Sequence, residues 1–288
     1  MSNSFIVPKK FLMKISLTVF LLLADNLLFA QSSLKNQYDF ALQLFNQEEY
    51  FEAITEFKRL QFFDSLKQYS FTANKLIGLS YKHGGKFNDA IKYLSLTEME
   101  TSNVDTLFEI KIEIVKTNLL RRTVYRAFDL LNDINDDERF IHKKNDIIYW
   151  TGWSFIFNDE WEKASKEFAK LDSNHELSKL CTNVSDELYS KTKAKIFSYI
   201  LPGAGQFYTG NYFSGLLSLG WVTLWTYTSV NAFLADRIFD GFMVADFLAL
   251  RFYNGNLQNA EKFAEEHNNS VSNWMLNYLQ NNYLGQKP

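Results

Sequence analysis

The stretch LPGAGQFYTGNYFSGLL, residues 201–217, contains four glycines and no charged side chain. Gly205 and Gly210 have the separation of the two glycines in a phosphate-binding loop, whose backbone N–H groups hold phosphate oxygens. That loop requires a lysine directly after the second glycine, and Asn211 stands there instead. The sequence therefore gives no support to nucleotide binding. Two interpretations remain, a turn within a soluble core and a helix break at a membrane boundary.

Residues that commonly bind metals or act as nucleophiles are scattered along the chain. The four histidines fall in four separate regions, at His83, His142, His175 and His267. The acidic turn DINDDE, residues 133–138, begins like a calcium loop but lacks its central glycine and its closing glutamate. Cys181 has no neighbouring base, and no serine stands in a nucleophile elbow. We predict no enzymatic activity, no metal, no cofactor and no small-molecule substrate.

The amino-acid composition limits the classes of protein to which this chain can belong. The 288 residues are 47% hydrophobic and 22% charged, which is enough apolar material for one large or two ordinary domains. The formal charge of -3, with acids and bases interspersed, provides no basic face for nucleic acid. The three prolines leave long stretches free to be helical. We therefore expect a mostly helical protein that does not bind nucleic acid.

The N-terminus has the order of a secretory signal peptide. Residues 9–30, KKFLMKISLTVFLLLADNLLFA, begin with lysines, continue through an apolar run and end in a small residue. We predict a signal peptide over residues 1–30, with translation starting at Met1 or Met13. A retained membrane anchor is the alternative, although Asp25 and Asn26 interrupt the apolar run. Cys181, the only cysteine, lies too far along the chain to carry a lipid anchor.

An internal repeat occupies the region between the predicted signal peptide and the glycine-rich stretch. The segments FEAITEF, NDAIKYL, YRAFDLL and EKASKEF align on alanines spaced 37 residues apart, at Ala53, Ala90, Ala127 and Ala164. A fixed spacing of this kind is typical of stacked helical hairpins, each of which completes its core with its neighbours. The sequence therefore predicts a helical solenoid.

The residues around these alanines resemble the tetratricopeptide repeat, in which a small residue and an aromatic precede the alanine and a large apolar residue follows it. We predict four such repeats over residues 38–175 and a capping or linker helix over 176–195. Repeat three departs from the pattern at Val115 and Val124. The positions predicted to pack the repeats are Ala41, Tyr50, Ala53, Phe57, Gly78, Tyr81, Phe87, Ala90, Leu94, Ala127, Leu131, Gly152, Trp161, Ala164 and Phe168.

The stretch from Ile196 to Ala235 carries no Asp, Glu, Lys, Arg or His. About 20 apolar residues suffice for a helix to cross a bilayer, and residues 212–235 have that length. The next segment, RIFDGFMVADFLAL (residues 237–250), contains two aspartates and has three interpretations: a second crossing, a re-entrant piece or an interfacial amphipathic helix.

The glycine-rich stretch resembles the proline-glycine-x-glycine-glutamine-x-tyrosine-x-glycine signature of a family of small bacterial membrane domains, related to two-transmembrane-helix domains and often found after tetratricopeptide repeats. FYNGNLQNAEKFAEEHN, residues 252–268, is similar to the closing segment of that family. The resemblance implies a membrane domain over residues 196–268 with a tail over 269–288, and it implies no reaction. The residues assigned to the membrane motif are Pro202, Gly203, Gly205, Gln206, Tyr208, Gly210, Gly215 and Asp246.

The predicted fold class is all-α, a tetratricopeptide-like helical-hairpin solenoid followed by a short C-terminal transmembrane helical hairpin. We expect a scaffold or adaptor on the bacterial inner membrane, with its repeats in the periplasm and with the lipid bilayer and other envelope proteins as partners. One alternative is a component that assists membrane-protein insertion or transport through the C-terminal hairpin. A soluble secreted helical protein is the other.

Solenoids of this kind bind peptides or helices along the concave face formed by the first helix of each hairpin. Polar residues on those helices, away from the packing positions, are candidates for contact with a partner. These are Gln43, Asn46, Lys82, Asn118 and Asn158.

Overall fold

A computed structural model describes residues 33–288. All regular elements in this part of the chain are helices, so the prediction of an all-α fold is confirmed. The predicted signal peptide lies outside the described residues. The chain divides into two compact units, one ending at Phe157 and the other spanning Asn158–Lys287.

The first unit is a series of helices joined by short turns. In chain order they are α1 (residues 33–46), α2 (Tyr50–Phe63), α3 (Ser70–His83), α4 (Phe87–Glu100), α5 (Val104–Leu120), α6 (Val124–Asn135), a 3₁₀ helix (Glu138–Lys143) and α7 (Lys144–Phe157). From α2 onward, each α-helix packs against the next, and α5 also contacts α7. This connectivity is that of stacked helical hairpins.

Most of the positions predicted to pack the repeats are buried. Ala53, Ala90 and Ala127 have no exposed surface, and Leu94 is equally buried. A Cβ atom on Gly78 would lie 2.9 Å from Cγ of Leu94, so the glycine allows α3 and α4 to approach closely. Val115 and Val124, where the third repeat departs from the pattern, are also buried.

Two of the aromatic packing positions, Tyr50 and Tyr81, lie nearer the surface. Tyr50 is half-buried, and its ring stacks on that of His83 with the centroids 4.8 Å apart. Tyr81 stacks on Tyr93 and accepts a hydrogen bond of 2.8 Å from Nζ of Lys58. These rings cover the outer side of the packed alanines.

The same backbone turn recurs between the two helices of each predicted repeat. One residue in each of these turns has a left-handed conformation, with φ values of 64° at Glu48, 70° at Gly85, 62° at Arg122 and 58° at Asp159. In the first three turns the following N–H donates back to a carbonyl five residues earlier, for example from Glu49 to Leu44 at 3.0 Å. This geometry satisfies carbonyl groups left free at a helix C-terminus. The spacing of 37 residues seen in the sequence therefore also separates these left-handed residues, including the one in the third repeat.

The second unit contains helices of very different length. They are α8 (Trp161–Ala169), α9 (Glu176–Glu187), α10 (Lys191–Ile200), α11 (Ala204–Tyr208), α12 (Tyr212–Leu234), α13 (Ile238–Val244), a π-helical turn (Ala245–Ala249) and α14 (Leu250–Asn282). The longest helix, α14, contacts α9, α10, α11 and α12. Near its C-terminal end, Oγ of Ser272 accepts a hydrogen bond of 2.9 Å from the indole Nε1 of the buried Trp161. α14 is therefore the element around which this unit is built.

Within residues 33–288, we find no helix that is both long enough and apolar enough to span a bilayer. The prediction of a C-terminal transmembrane hairpin is therefore not supported. α12 has 23 residues and no charge, but its serine, threonine, asparagine, tryptophan and tyrosine side chains lower its hydropathy. The absence of charged residues in α12 therefore does not make this helix as apolar as a membrane-spanning helix. In addition, α14 continues through Asn268 to Asn282, so the predicted tail is largely helical.

Candidate functional site

The glycine-rich motif forms two tight turns around a short helix. α10 ends at Ile200, and Gly203 adopts a φ of 89° before α11 begins. Gly210, with a φ of 77°, then leads into α12. The motif is therefore a helix break, as the second interpretation of the sequence required, but it lies among packed helices of the unit.

Two glycines of the motif are required by close backbone contacts. A Cβ atom on Gly203 would clash with the carbonyl oxygen of Gly215 in α12. A Cβ atom on Gly205 would clash with the carbonyl oxygen of Ala194 and would lie 2.7 Å from Cβ of Ala260. Gly205 therefore lies where α10, α11 and α14 meet, and only a hydrogen in place of a side chain fits there.

Gln206 and Asn256 lie at the centre of a buried polar network. Nε2 of Gln206 donates to the backbone oxygen of Asn256 at 2.9 Å and to its Oδ1 at 3.1 Å. Oε1 of Gln206 accepts from Oγ of Ser198 at 3.0 Å. Gln206 has no exposed surface, and Asn256 is 2% exposed. Each hydrogen bond thus offsets the cost of burying an amide.

The same network satisfies the peptide groups released by the helix break. Oδ1 of Asn256 accepts from the N–H of Gly203 at 2.8 Å, and its Nδ2 donates to the carbonyl of Ser198 at 3.0 Å. The N–H of Gly205 donates to Oγ of Ser198 at 2.9 Å. The motif and the segment similar to the family's closing segment are therefore two halves of one structural element.

A second asparagine of the closing segment makes a similar contact. The side chain of Asn268 accepts from the N–H of Tyr189 at 2.9 Å and donates to its carbonyl at 2.8 Å. The ring of Tyr189 contacts Tyr208 of the motif, whose Oη accepts from the N–H of Ser190 at 3.2 Å. Asn256 and Asn268 thus fix α14 to both ends of α10.

Beside the network, α12 and α14 enclose a cavity of about 360 Å³. One part of its wall is apolar, with Leu217, Trp221 and Phe252, and the polar part includes Ser218 and Arg251. The rings of Trp221 and Phe252 stack with their centroids 5.6 Å apart. Trp225 stacks against both rings, and its indole nitrogen is buried without a hydrogen-bond partner. This cavity could not be predicted from the sequence, because its two walls lie about thirty or more residues apart in the chain.

Many large apolar side chains are exposed on the helices of the second unit. Most of the exposed large hydrophobic side chains among residues 33–288 lie between Ile196 and Leu250, on α10, α12, α13 and the π-helical turn. Ile200 is 80% exposed, and Leu234 is 79% exposed. We call these exposed side chains the apolar face. Soluble monomers rarely expose continuous apolar patches larger than a few hundred Å², so such a face indicates a binding surface.

The remaining residues assigned to the membrane motif fall in two groups. Pro202 and Tyr208 are partly buried in the packed motif, and Gly215 is buried. Asp246 lies apart from them, exposed on the π-helical turn next to the exposed Phe247. The structure does not bring Asp246 to the buried network.

The candidate partner-binding residues of the solenoid differ in availability. Gln43, Asn46 and Asn158 are exposed. Asn118 is 1% exposed, and its Nδ2 donates to the carbonyl of Ile114 at 2.8 Å. Lys82 lies 2.9 Å from Oε2 of Glu113. The side chains of Asn118 and Lys82 therefore make their contacts inside the first unit.

The pair formed by Lys82 and Glu113 is part of a partly buried charge cluster. Burial lowers the pKa of Lys82 despite the neighbouring carboxylate. Burial alone would raise the pKa of Glu113, but the ammonium groups of Lys82 and Lys116 together bring it below its ordinary value. Nζ of Lys116 also lies 4.5 Å from the ring centroid of Trp150. The cluster links α3 to α5 by an ion pair and α5 to α7 by a cation–π contact.

The described residues contain no cluster of histidine, cysteine and acidic side chains that could hold a metal ion. Burial raises the pKa of Cys181 to about 12, so its thiol is protonated at neutral pH. In the acidic turn, Asp137 pairs with Arg139, with Oδ2 lying 2.6 Å from the guanidinium.

Comparison with known proteins returned no matching family model, no matching curated protein and no matching solved structure. The two family resemblances therefore remain predictions from the sequence.

Proposed function

We propose that this protein is a scaffold of the bacterial envelope, in which the helical hairpins bind other proteins and the apolar face rests on a lipid bilayer. The predicted signal peptide and the family resemblances favour the periplasmic side of the inner membrane. The observation that carries the proposal is the apolar face itself, on α10, α12 and α13.

The composition of the face favours a lipid surface. Tryptophan and tyrosine side chains are typical of the headgroup layer, and Trp221 and Tyr227 are both exposed. No acidic residue occurs between Ile196 and Ala235, whereas Asp240 and Asp246 lie further along, on α13 and the π-helical turn. Anionic headgroups repel carboxylates, so the absence of acidic side chains between Ile196 and Ala235 favours contact of this part of the face with a lipid surface.

The extent of exposure also favours a bilayer. Exposed apolar side chains follow α12 from Tyr212 to Leu234, and the four buried side-chain positions of this helix are mostly small residues. A helix that lies in the bilayer interface buries its apolar side among headgroups and the upper acyl chains. In that arrangement the polar residues of α12 do not have to enter the hydrocarbon core.

Binding of the purified protein to phosphatidylcholine vesicles, measured by flotation, tests this part of the proposal. The double variant Leu216→Glu, Leu224→Glu places two charges on the face, and we expect it to remain with the unbound fraction. The matched control Phe51→Glu, Phe62→Glu changes two exposed aromatics of the first unit and should float like the wild type. Equal flotation of both double variants would contradict the proposal. Loss of self-association in the face variant, with no vesicle binding by the wild type, would identify a second copy of the chain as the occupant.

The scaffold part of the proposal rests on the hairpin architecture and on the exposed side chains of α1. A photo-crosslinking residue at Asn46 should give a discrete adduct in cells, which an excess of the purified wild-type protein should compete away. The control position is Glu52, exposed on the second helix of the same hairpin. If both positions give the same adducts, α1 does not form a specific binding surface.

A further inference from the structure

We propose that the cavity between α12 and α14 binds the anionic head of an amphiphile, with Arg251 as its cationic partner and Trp221, Leu217 and Phe252 around the first carbons of its tail. The inference rests on the proposed contact with a bilayer, because it names the lipid chemistry that the second unit would recognise. It adds a binding site for one lipid molecule to a surface that would otherwise contact the bilayer only through its exposed apolar side chains.

The charge of the cavity favours an anion. Arg251 is its only charged lining residue, and no acidic side chain lines it. Two basic residues of α10 have carboxylate partners: Lys191 lies 3.1 Å from Glu265, and Lys195 lies 3.0 Å from Glu261. None of the ion pairs found among residues 33–288 involves Arg251. The guanidinium, with its five N–H donors, is therefore available to a phosphate or carboxylate.

The polar lining supplies further hydrogen-bond donors. Oγ of Ser218 accepts from Nε2 of Gln206 at 3.3 Å, so its own O–H remains free to donate into the cavity. Ser214 and Asn259 line the same cavity and can also donate. By contrast, the amide of Asn256 is already used in the buried network. The buried network thus positions one wall of the site, and the side chains in front of it are suited to an acceptor-rich head.

The apolar lining leads out of the cavity to the bilayer-facing surface. Leu217, Trp221 and Leu224 recur at helical spacing on α12 and form one stripe. Leu217 and Trp221 line the cavity, and Leu224 belongs to the exposed face. The volume lies at the lower end of the range of about 300–1,000 Å³ for ligand pockets, which suits a head and the first methylenes. The rest of the tail would lie along the stripe.

The test uses the full-length mature protein and the variant Arg251→Gln, with Arg237→Gln as the matched control. Both arginines are exposed, both lie in the second unit, and both variants lose one positive charge; Arg237 lies outside the cavity, 3.6 Å from Asp240. Binding of dihexanoyl phosphatidylglycerol below its micelle concentration is followed by tryptophan fluorescence, because Trp221 lines the site. We expect Arg251→Gln to weaken binding about tenfold or more, as the loss of a charge-assisted hydrogen bond implies, and Arg237→Gln to bind like the wild type.

Two further measurements distinguish a lipid headgroup from free phosphate as the anion that binds in the cavity. Inorganic phosphate should displace the short-chain lipid only weakly, and Leu217→Gln should weaken lipid binding without changing the effect of phosphate. If phosphate alone binds as tightly as the lipid, the site is an anion site without a tail contact, and the inference is overturned. Equal losses in the two arginine variants, or no lipid binding by the wild type, would also overturn it.

The vesicle experiment separates this inference from the proposed function. Vesicles of phosphatidylcholine report on the apolar face, and vesicles that also contain phosphatidylglycerol report on Arg251. If Arg251→Gln binds both kinds like the wild type, the cavity inference fails and the bilayer contact stands. If the wild type binds the soluble short-chain lipid but neither kind of vesicle, the bilayer contact fails and the cavity stands.

Discussion

The side-chain amide of Gln206 donates to the backbone carbonyl of Asn256 at 2.9 Å, across 50 residues of sequence. The contact joins the glycine-rich motif to α14 at a point with no solvent exposure. It gives the glutamine of the motif a structural role, because the amide supports the helix break. The cavity and the apolar face both depend on the helices that this contact holds together.

Replacement of Gln206 by methionine keeps much of the side-chain volume and removes all of its hydrogen bonds. We expect the free energy of unfolding of the second unit to fall by about 1–3 kcal/mol, since the buried hydroxyl of Ser198 loses its acceptor and the Asn256 carbonyl loses the side-chain donor. Urea denaturation measures the change. Gln258→Met is the control, at an exposed position of α14, and should change the stability by less than about 0.5 kcal/mol. Equal stabilities of the two variants would mean that the network contributes nothing.

The left-handed turns of the solenoid predict stability changes of opposite sign. Glu48→Gly should stabilise the first unit by about 0.5–1 kcal/mol, because glycine adopts its φ of 64° without the steric cost of a Cβ atom. Gly85→Ala should destabilise it by about 1 kcal/mol, although an added Cβ would have open space around it. Gly84→Ala is the control, because Gly84 has an ordinary φ of -77°. Thermal unfolding distinguishes the three, and identical effects at Gly84 and Gly85 would exclude backbone strain as the cause.

The carboxylate of Glu113 predicts a stability that depends on pH. Its folded-state pKa lies below the ordinary value of 4.5, so its contribution is fully present above that pH and is lost as the pH falls through the folded-state pKa. Glu113→Gln should cost about 2–3 kcal/mol at pH 7, because Lys82 and Lys116 lose their shared partner. The variant should also lose less stability than the wild type on acidification. The measurement is urea denaturation at a series of pH values.

Glu109→Gln provides the control for that series. Glu109 pairs with Lys75 at 3.7 Å, but its side chain is 66% exposed, so solvent screens the interaction. We expect a change of less than about 0.5 kcal/mol and the acid sensitivity of the wild type. A parallel pH profile for Glu113→Gln would show that the buried cluster does not carry the acid sensitivity.

The thiol of Cys181 should be inert in the folded protein. Burial raises its pKa to about 12, so its reactive thiolate fraction near pH 8 is on the order of 10³-fold lower than that of an ordinary cysteine. A maleimide should therefore label it only in denaturant or during opening of the second unit. Ser33→Cys, at an exposed position, is the matched reactive control within the same chain. Rapid labelling of Cys181 in native buffer would contradict its placement in α9.

The sequence predicted the hairpins because their core positions recur at a fixed spacing. Ala53 and Phe57 need only their own repeat and its neighbours to be recognised as core. The pairing of Gln206 with Asn256 could not be predicted in the same way, because nothing in either segment specifies a partner 50 residues away. The two segments were each recognised as parts of a family pattern, but only the packing of α10, α11 and α14 shows that they meet.

The membrane-spanning helix is a prediction from the sequence that the structure does not support. The charge-free stretch predicted contact with a membrane through a spanning helix, yet small and hydroxyl-bearing residues such as Ser229 reduce the hydropathy of α12. Oγ of Ser229 donates to the carbonyl of Gly241 at 2.9 Å, so this polar residue serves the packing of α12 on α13. Counting charges cannot distinguish such a helix from one that crosses a bilayer. Arg251 was likewise not singled out, because its importance depends on the cavity beside it.

The length of α14 gives the second unit a fixed internal distance. Asn256 belongs to the buried network beside the apolar face, and Ser272 binds Trp161 sixteen positions further along the same uninterrupted helix. At a rise of 1.5 Å per residue, the two contacts are about 24 Å apart. The buried network therefore lies at a set distance from Trp161, and deletion of four residues of α14 between the two contacts would shorten that distance by about 6 Å. The helix thus acts as a rigid spacer whose length is encoded residue by residue.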